Sequence, residues 1–251
     1  MLVKAVPVGG QFLRVVDGEL VRDGVPHGLD PLNEVSLELA LDARRTGALD
    51  EVIAICVGPQ HAVDALRRAL ALGADSVLHV EDPALAGADV RTTARVLAAA
   101  VQHVDARLAL FGYESADGSS GMVPAAVAAL LGWPLISRAR QGSITDGLVT
   151  AGRDVGAGAE IASAGLPAVM SVVDGGIAPA YPTLKQVLRA RKAVVPSVTA
   201  AELGVNLEAD RTTERVTGLR PTPAPMRTRT VLDLDNGIPW LAELLSDVAV
   251  G

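Results

Sequence analysis

The stretch Glu51-Val-Ile-Ala-Ile-Cys-Val-Gly-Pro-Gln-His-Ala-Val-Asp-Ala-Leu-Arg-Arg-Ala-Leu-Ala-Leu-Gly-Ala-Asp-Ser-Val-Leu-His-Val80 decides the fold. After Glu51 its opening run is continuously apolar, the pattern of a strand buried on both faces. Gly58-Pro59 ends that run. From Gln60 to Leu72 the apolar residues Val63, Leu66, Ala69 and Leu70 recur at helical spacing, and Gly73 closes the segment. A second short apolar run, Ser76 to Val80, follows at once. Strand, helix and strand in that succession indicate parallel strands joined by a helical crossover. The expected fold class is therefore α/β, a mostly parallel sheet flanked by helices.

Outward from this unit the alternation continues on both sides. Leu2 to Val6 reads as a first strand, and residues 33–45 as a helix carrying Val35, Leu37, Leu39 and Leu41. Downstream, residues 90–103 repeat the helical pattern and residues 108–111 form another apolar run. A loop of small polar residues then opens into an Ala/Val/Leu helix that stops at Gly132-Trp133-Pro134. Beyond Pro134 the texture changes to short strands, at 137–144, 148–153 and 167–173, separated by glycine-rich turns. These are expected as an antiparallel extension of the sheet. From Ala201 the periodicity is lost. Residues 208–215 and 220–229 read as an extended C-terminal arm, and residues 239–248 as a short apolar helix that needs a surface to pack on. The expected division is a domain over residues 1–200 and an arm over residues 201–251. No repeat at a period of about 20 to 50 residues is evident, which excludes solenoids and propellers.

Composition narrows the function classes. The chain has 251 residues, 49% hydrophobic and 20% charged, which is globular and long enough for a large core. With 22 Lys and Arg against 29 Asp and Glu, its net charge of −7 lacks the basic face that a nucleic-acid binder needs. The single Cys56 and four scattered histidines offer no disulfide and no metal-ligand spacing, so a reduced, cytoplasmic setting is expected. The longest apolar stretch, residues 123–136, is broken by Pro124, Gly132 and Pro134, and the start of the chain lacks a signal-peptide pattern. No direct membrane insertion is expected.

The chemistry concentrates in one loop: Gly112, Tyr113, Glu114, Ser115, Ala116, Asp117, Gly118, Ser119, Ser120 and Gly121, followed by Met122 and Val123. It follows a strand and opens a helix, where free backbone N–H groups and the helix dipole favour an anion. Gly and Ser leave room for a phosphate to approach the backbone. No Gly-Lys-Ser/Thr follows, so this is not an ATP-hydrolysing P-loop. The plainer alternative is a turn whose Ser119 or Ser120 caps a helix. Gly156-Ala-Gly158-Ala-Glu160 lacks the third glycine of a dinucleotide fingerprint and reads as a turn between strands. His27, His61, His79 and His103 lie in separate segments and read as surface or helix-end residues, while Cys56 reads as an inert buried hydrophobe. No nucleophile with an activating base is present, so no catalytic residues are expected.

Taken in order along the chain, several segments resemble the β subunit of electron-transfer flavoproteins. They are Val3-Lys-Ala-Val-Pro7, Asp30-Pro-Leu-Asn-Glu34, Gly58-Pro-Gln60 with Ala69-Leu-Ala-Leu-Gly-Ala-Asp75, and Leu110-Phe-Gly-Tyr-Glu-Ser-Ala-Asp-Gly118 running to Leu131-Gly-Trp-Pro134. Arg153, Glu160 and Pro167 also fall where the family's signature expects a basic residue, an acid and a proline. Tyr181-Pro-Thr-Leu184, followed by Arg189-Ala-Arg-Lys192, resembles the family's partner-recognition loop.

The resemblance implies a Rossmann-type three-layer, adenine-nucleotide-hydrolase-like fold and a subunit without independent catalysis. It implies pairing with an α subunit that shares a redox FAD, and burial of AMP, or of a second FAD, in the β subunit. It also implies electron flow from flavin-dependent dehydrogenases to a membrane quinone oxidoreductase. Transferred to this sequence, the cofactor-binding residues are Leu2, Val3, Lys4, Asp30, Pro31, Leu32, Asn33 and Val57 with the loop from Gly112 through Val123. The partner-docking residues are Tyr181, Pro182, Thr183, Leu184, Arg189, Arg191 and Lys192. Asp30 stands where the family has Asn, Met122 where Gln is common, and Gly156 where an acid is preferred, departures that suit a specialised branch. The rival reading is a nucleotide-binding regulatory module of the universal-stress class. The long segment after Ala201 favours the heterodimer subunit, because a self-contained module has no need of it.

Overall fold

Lys4 interrupts the first apolar run. In the structure, a computed structural model that describes residues 1–8, 15–17, 19–22, 24–156, 158–208, 213–214, 216–219 and 232–248, the run divides into β1 (Leu2–Val3) and β2 (Ala5–Pro7). β1 is buried and joins the main sheet. After β2 comes a small hairpin of β3 (Val15–Val16) and β4 (Glu19–Leu20), and β5 (His27–Leu29) returns to pair antiparallel with β2. α1 (Pro31–Arg45) begins earlier than its apolar period indicates. Asp30 caps it by accepting from the Leu32 N–H, and Pro31 lacks only an N–H that the first turn leaves unpaired.

The expected alternation follows: β6 (Ile53–Val57), α2 (Val63–Leu72), β7 (Ser76–Val80), α3 (Val90–His103), β8 (Leu108–Gly112) and α4 (Val123–Leu131). A short 3-10 turn precedes α2, and Gly73 and Gly132 close α2 and α4 with positive φ. β9 (Leu135–Thr145), β10 (Leu148–Asp154) and β11 (Ala159–Gly165) form an antiparallel meander, and β12 (Ala168–Val172), α5 (Leu184–Arg191) and β13 (Ser197–Val198) complete the unit.

Two strand expectations need correction. The segment expected as antiparallel at 167–173 is β12, which runs parallel to both β8 and β9 and is buried throughout. Its unbroken Ala-Val-Met-Ser-Val run is the pattern of a strand covered on both faces. β11 was not expected, because Ala, Ser and Gly have weak strand preference; it exists through its full register against β10, Arg153 facing Glu160.

Period two along the central strands supplies both faces. In β6, Ala54 and Cys56 join the core beneath α1 and α2, whereas Ile55 joins the one beneath α3 and α4. In β8, Leu110 points to the first, and Ala109 and Phe111 to the second. Helices thus cover both sides of the strand layer, giving three layers. Leu66 and Leu37 are fully buried here, and truncating either to Ala costs about 2–5 kcal/mol.

This compact unit runs from Met1 to Leu219, and includes Ala200, Leu203, Val205 and Leu207, which pack on the core. Residues 220–251 form a second unit. Within it α6 (Leu234–Val248) is longer than the expected 239–248 helix, because Asp233 accepts from the Asn236 N–H and caps an earlier start, with Pro239 inside. Ile238, Trp240, Leu241, Leu244 and Leu245 on it are solvent-exposed. Most of the expected extended arm, residues 209–212, 215 and 220–231, lies outside the described residues.

Candidate functional site

β1 and β8 lie side by side at the centre without sharing a hydrogen-bonded ladder. From that seam the order runs β1, β6, β7, β13 in one direction and β8, β12, β9, β10, β11 in the other. The winding therefore reverses here, and ligands of open α/β sheets bind in the crevice outside the carboxyl ends of strands at such a reversal. At those ends stand Lys4, Val57 and Gly112, three of the residues singled out from sequence. Leu2 and Val3 are buried, Val3 in the core beneath α1 and α2 and Leu2 in the one beneath α3 and α4.

The loop after Gly112 is tied to β1 and to α1 by a polar web. Asp30 is 1% exposed, and its Oδ1 accepts from Leu32 N–H at 2.9 Å while Oδ2 accepts from Ala116 N–H at 2.8 Å. Burial pushes its pKa up, although those donors and Lys4 oppose the shift. The Lys4 N–H donates to Asn33 Oδ1 at 2.8 Å. Lys4 Nζ donates to Ser115 Oγ at 3.1 Å and to Asp117 Oδ1 at 2.6 Å. Arg22 reaches the other oxygen of Asp117. Burial acts to raise the Asp117 pKa, but the Lys4 bond and charge, with Ser115 and Arg22, outweigh it and hold the carboxyl below its ordinary range.

Two glycines are required by contact. A Cβ on Gly112 would lie 2.8 Å from Leu32 Cβ and 2.9 Å from Asn33 Nδ2, so the close approach of α1 to the loop depends on its absence. Gly121 has φ +61°, and a Cβ there would lie 2.9 Å from the Tyr113 ring. The guanidinium of Arg138, itself at φ 61° in a bulge of β9 opposite Ser171, sits 4.8 Å from the centre of that ring.

What the loop presents is an uncapped helix. Met122 occupies the N-cap of α4 and supplies no side-chain bond; the alternative in which Ser119 or Ser120 caps the helix is not what forms, since Ser119 Oγ donates to Ser115 O and Ser120 Oγ accepts only from Met122 N–H. Among the described residues, no protein acceptor is found for the backbone N–H groups of Gly121, Val123 and Ala125. A row of open donors at a helix start, with the Lys4 ammonium below Gly118, fits a phosphate group. Glu114 is exposed and makes no contact that fixes it as a ligand.

Comparison with known proteins decides the family. Residues 18–203 match the electron transfer flavoprotein domain. The electron transfer flavoprotein subunit beta of Mycobacterium tuberculosis is 36% identical over 236 residues, covering 91% of this chain and 89% of that protein. The subunits beta of Sus scrofa, 31% identical over 217 residues with 86% and 85% covered, and of Mus musculus, 32% identical over 193 residues with 75% and 74% covered, match as well. The chain belongs to the electron-transfer flavoprotein β-subunit family.

For a member of that family the other residues singled out from sequence fall as follows. Pro31 and Leu32 open α1 against the loop. Tyr181, Pro182, Thr183 and Leu184 lead into α5, whose packing partner is α2, apart from the loop. Thr183 caps α5 with a reciprocal bond pair to Gln186. Leu184, the first helical residue, is 74% exposed, and Arg189, Arg191 and Lys192 are exposed near the helix end. Arg153 and Glu160 form a cross-strand ion pair, and the segment expected as a turn from Gly156 to Glu160 is part strand: Ala159 and Glu160 already pair with Asp154 and Arg153, and the Val155 N–H donates to Gly158 O at the turn.

His103 is exposed at the end of α3 and His61 is exposed in the turn before α2, as expected. His79 is not a surface residue: it is 1% exposed within β7 with its Nε2 2.8 Å from Gly58 O, and half-buried His27 lies against His61 with ring centres 4.1 Å apart. Cys56 is buried as expected, and burial pushes its thiol up to about 11. Among the described residues no group of three potential ligands could hold a metal ion, and no helix is long and apolar enough to cross a membrane. Sequence reasoning missed Arg22 and Arg138, for which only proximity in space is a signal.

Proposed function

We propose that this chain is the β subunit of a heterodimeric electron-transfer flavoprotein, burying a phosphate-bearing adenine nucleotide, AMP or FAD, at the β1–β8 seam and sharing a redox FAD with an α subunit. The observation that carries the nucleotide reading is the uncapped start of α4. Its open N–H groups lie where the winding of the sheet reverses. Gly121, Val123 and Ala125 would hold the phosphate through their backbone, with Lys4 adding positive charge, and Asn33 and Val57 would line the crevice. Asp30 and Asp117 hold the loop rather than the ligand, since their oxygens are occupied by protein donors.

A bound flavin supplies the one- and two-electron chemistry. The chain's own part is to bind, orient and shield, and to offer a docking surface. Tyr181 and Leu184 form an exposed apolar pair beside Arg189, Arg191 and Lys192, suited to a dehydrogenase pocket rimmed by acids. Electrons would then pass from flavin-dependent dehydrogenases to a quinone oxidoreductase at the membrane. Stopped-flow absorbance on the coexpressed heterodimer tests this: the flavin should bleach on mixing with a reduced flavin dehydrogenase and recover on adding the quinone oxidoreductase. A heterodimer that carries no flavin, or one that is never reduced, contradicts it.

A further inference from the structure

Arg22 is absent from the residues that the family resemblance supplies, and the functional reading above gives it no role. It lies between β4 and β5, far along the chain from the loop, yet its Nε and Nη2 both donate to Asp117 Oδ2 at 3.2 Å. Lys4 Nζ holds the other oxygen, Oδ1, at 2.6 Å. The Asp117 side chain is 1% exposed, while Lys4 and Arg22 keep 44% and 49% of theirs in solvent. For charge alone one cation suffices.

The second cation removes a freedom. With both oxygens engaged from different segments, the carboxylate cannot rotate without breaking a bond. That matters because the adjoining turn hangs on it. Lys4 also holds Ser115 Oγ, which accepts from the Gly118 N–H at 3.3 Å, and the Ser115 carbonyl accepts from the Ser119 N–H at 2.9 Å. Ser119 has φ 45°, a conformation that a non-glycine residue keeps only when its surroundings enforce it. This turn delivers the chain to Gly121 and the start of α4.

We propose that Arg22 is a positioning residue for the nucleotide loop: by holding Asp117 Oδ2 it keeps the 115–121 turn in the form that leaves the α4 N–H groups open to a phosphate-bearing adenine nucleotide. The proposal rests on the nucleotide reading given above.

The test uses the heterodimer with its α partner and compares wild type, Arg22→Ala and Arg22→Lys. AMP affinity and release rate are measured together with melting temperature and amide exchange at Ala116, Gly118 and Ser119. Arg22→Ala should weaken AMP roughly two- to fivefold, the range for a solvent-facing ion pair, mainly through faster release. Exchange at the three loop amides should quicken while that of the central strands stays unchanged. Arg22→Lys should restore most of the affinity. In molar salt, where screening acts over about 3 Å, wild type and Arg22→Ala should converge. Unchanged affinity and exchange in Arg22→Ala overturn the proposal while leaving the nucleotide reading intact. A loss that tracks a lower melting temperature, with exchange raised across the sheet, overturns it as well, because Arg22 is then merely structural. A wild-type heterodimer that binds no adenine nucleotide beyond the FAD shared with the α subunit overturns the nucleotide reading, and this proposal with it.

Discussion

Asp30, at the start of α1, and Asp117, on the loop it braces, are carboxylates of one polar web, and their surroundings drive their titration in opposite directions. Asp117 has its folded pKa lowered, so its contribution to stability is present above its unfolded value and is lost as pH falls through the folded one. Asp117→Asn should therefore melt lower than wild type at neutral pH, and the gap should narrow as pH falls below about 4. A melting-temperature series across pH 7 to 3 checks this; a constant gap contradicts it. Asp30 has its pKa raised by burial, so its charge costs stability at neutral pH and the cost disappears on acidification. It persists because two carboxylate oxygens satisfy both Leu32 and Ala116 N–H groups, and an Asn side chain has only one acceptor oxygen. Asp30→Asn should leave one donor unpaired and destabilise by about 1–3 kcal/mol in chemical denaturation, less whatever removing the buried charge returns.

The loop was legible in the sequence because small residues between a strand and a helix are a local signal. The contact of Arg22 with Asp117 was not, since those residues are 95 positions apart and no periodicity links them. The same holds for His27 and His61, whose stacking arises only when β5 meets the turn before α2.

At the scale of elements, apolar runs marked β6 and β8, and β7 despite its buried His79, because burial on both faces favours apolar residues at most positions. β12 has that same signature, but its neighbours at 137–153 alternate like half-exposed strands, and proximity to them suggested an antiparallel place. Only the register against β8 distinguishes the two. β11 carries one large apolar residue, Ile161, which is exposed, and otherwise small residues, so its pairing with β10 is what defines it.

α5 places a capping residue and the residue proposed for docking side by side. Thr183 makes a capping box, so Thr183→Ala should lower stability by about 1 kcal/mol. Leu184 is exposed, so Leu184→Ala should change the melting free energy by less than about 0.5 kcal/mol while slowing electron transfer from the dehydrogenase. Thermal melts and stopped-flow rates on both variants check this. A large drop in melting temperature for Leu184→Ala, or an unchanged transfer rate, contradicts the docking assignment.

At the scale of the whole molecule, α6 carries a cluster of apolar residues that are solvent-exposed among the described residues. Ile238, Trp240, Leu241, Leu244 and Leu245 are exposed on one short helix, a concentration that in isolation favours association. Expressed without an α subunit, the chain should aggregate or self-associate, and coexpression should give a 1:1 complex. Light scattering of the isolated chain checks this, and a monodisperse stable monomer contradicts obligate pairing.

The account stands chiefly on the uncapped α4 start and the loop that Lys4, Asp30 and Asp117 hold open beneath it. Its most direct test is to denature the purified heterodimer, separate the released nucleotides by chromatography and count them against protein. One FAD together with one AMP, or two FAD, per heterodimer is the predicted result. A single FAD with no second adenine nucleotide would contradict the assignment of the β1–β8 seam as a nucleotide site.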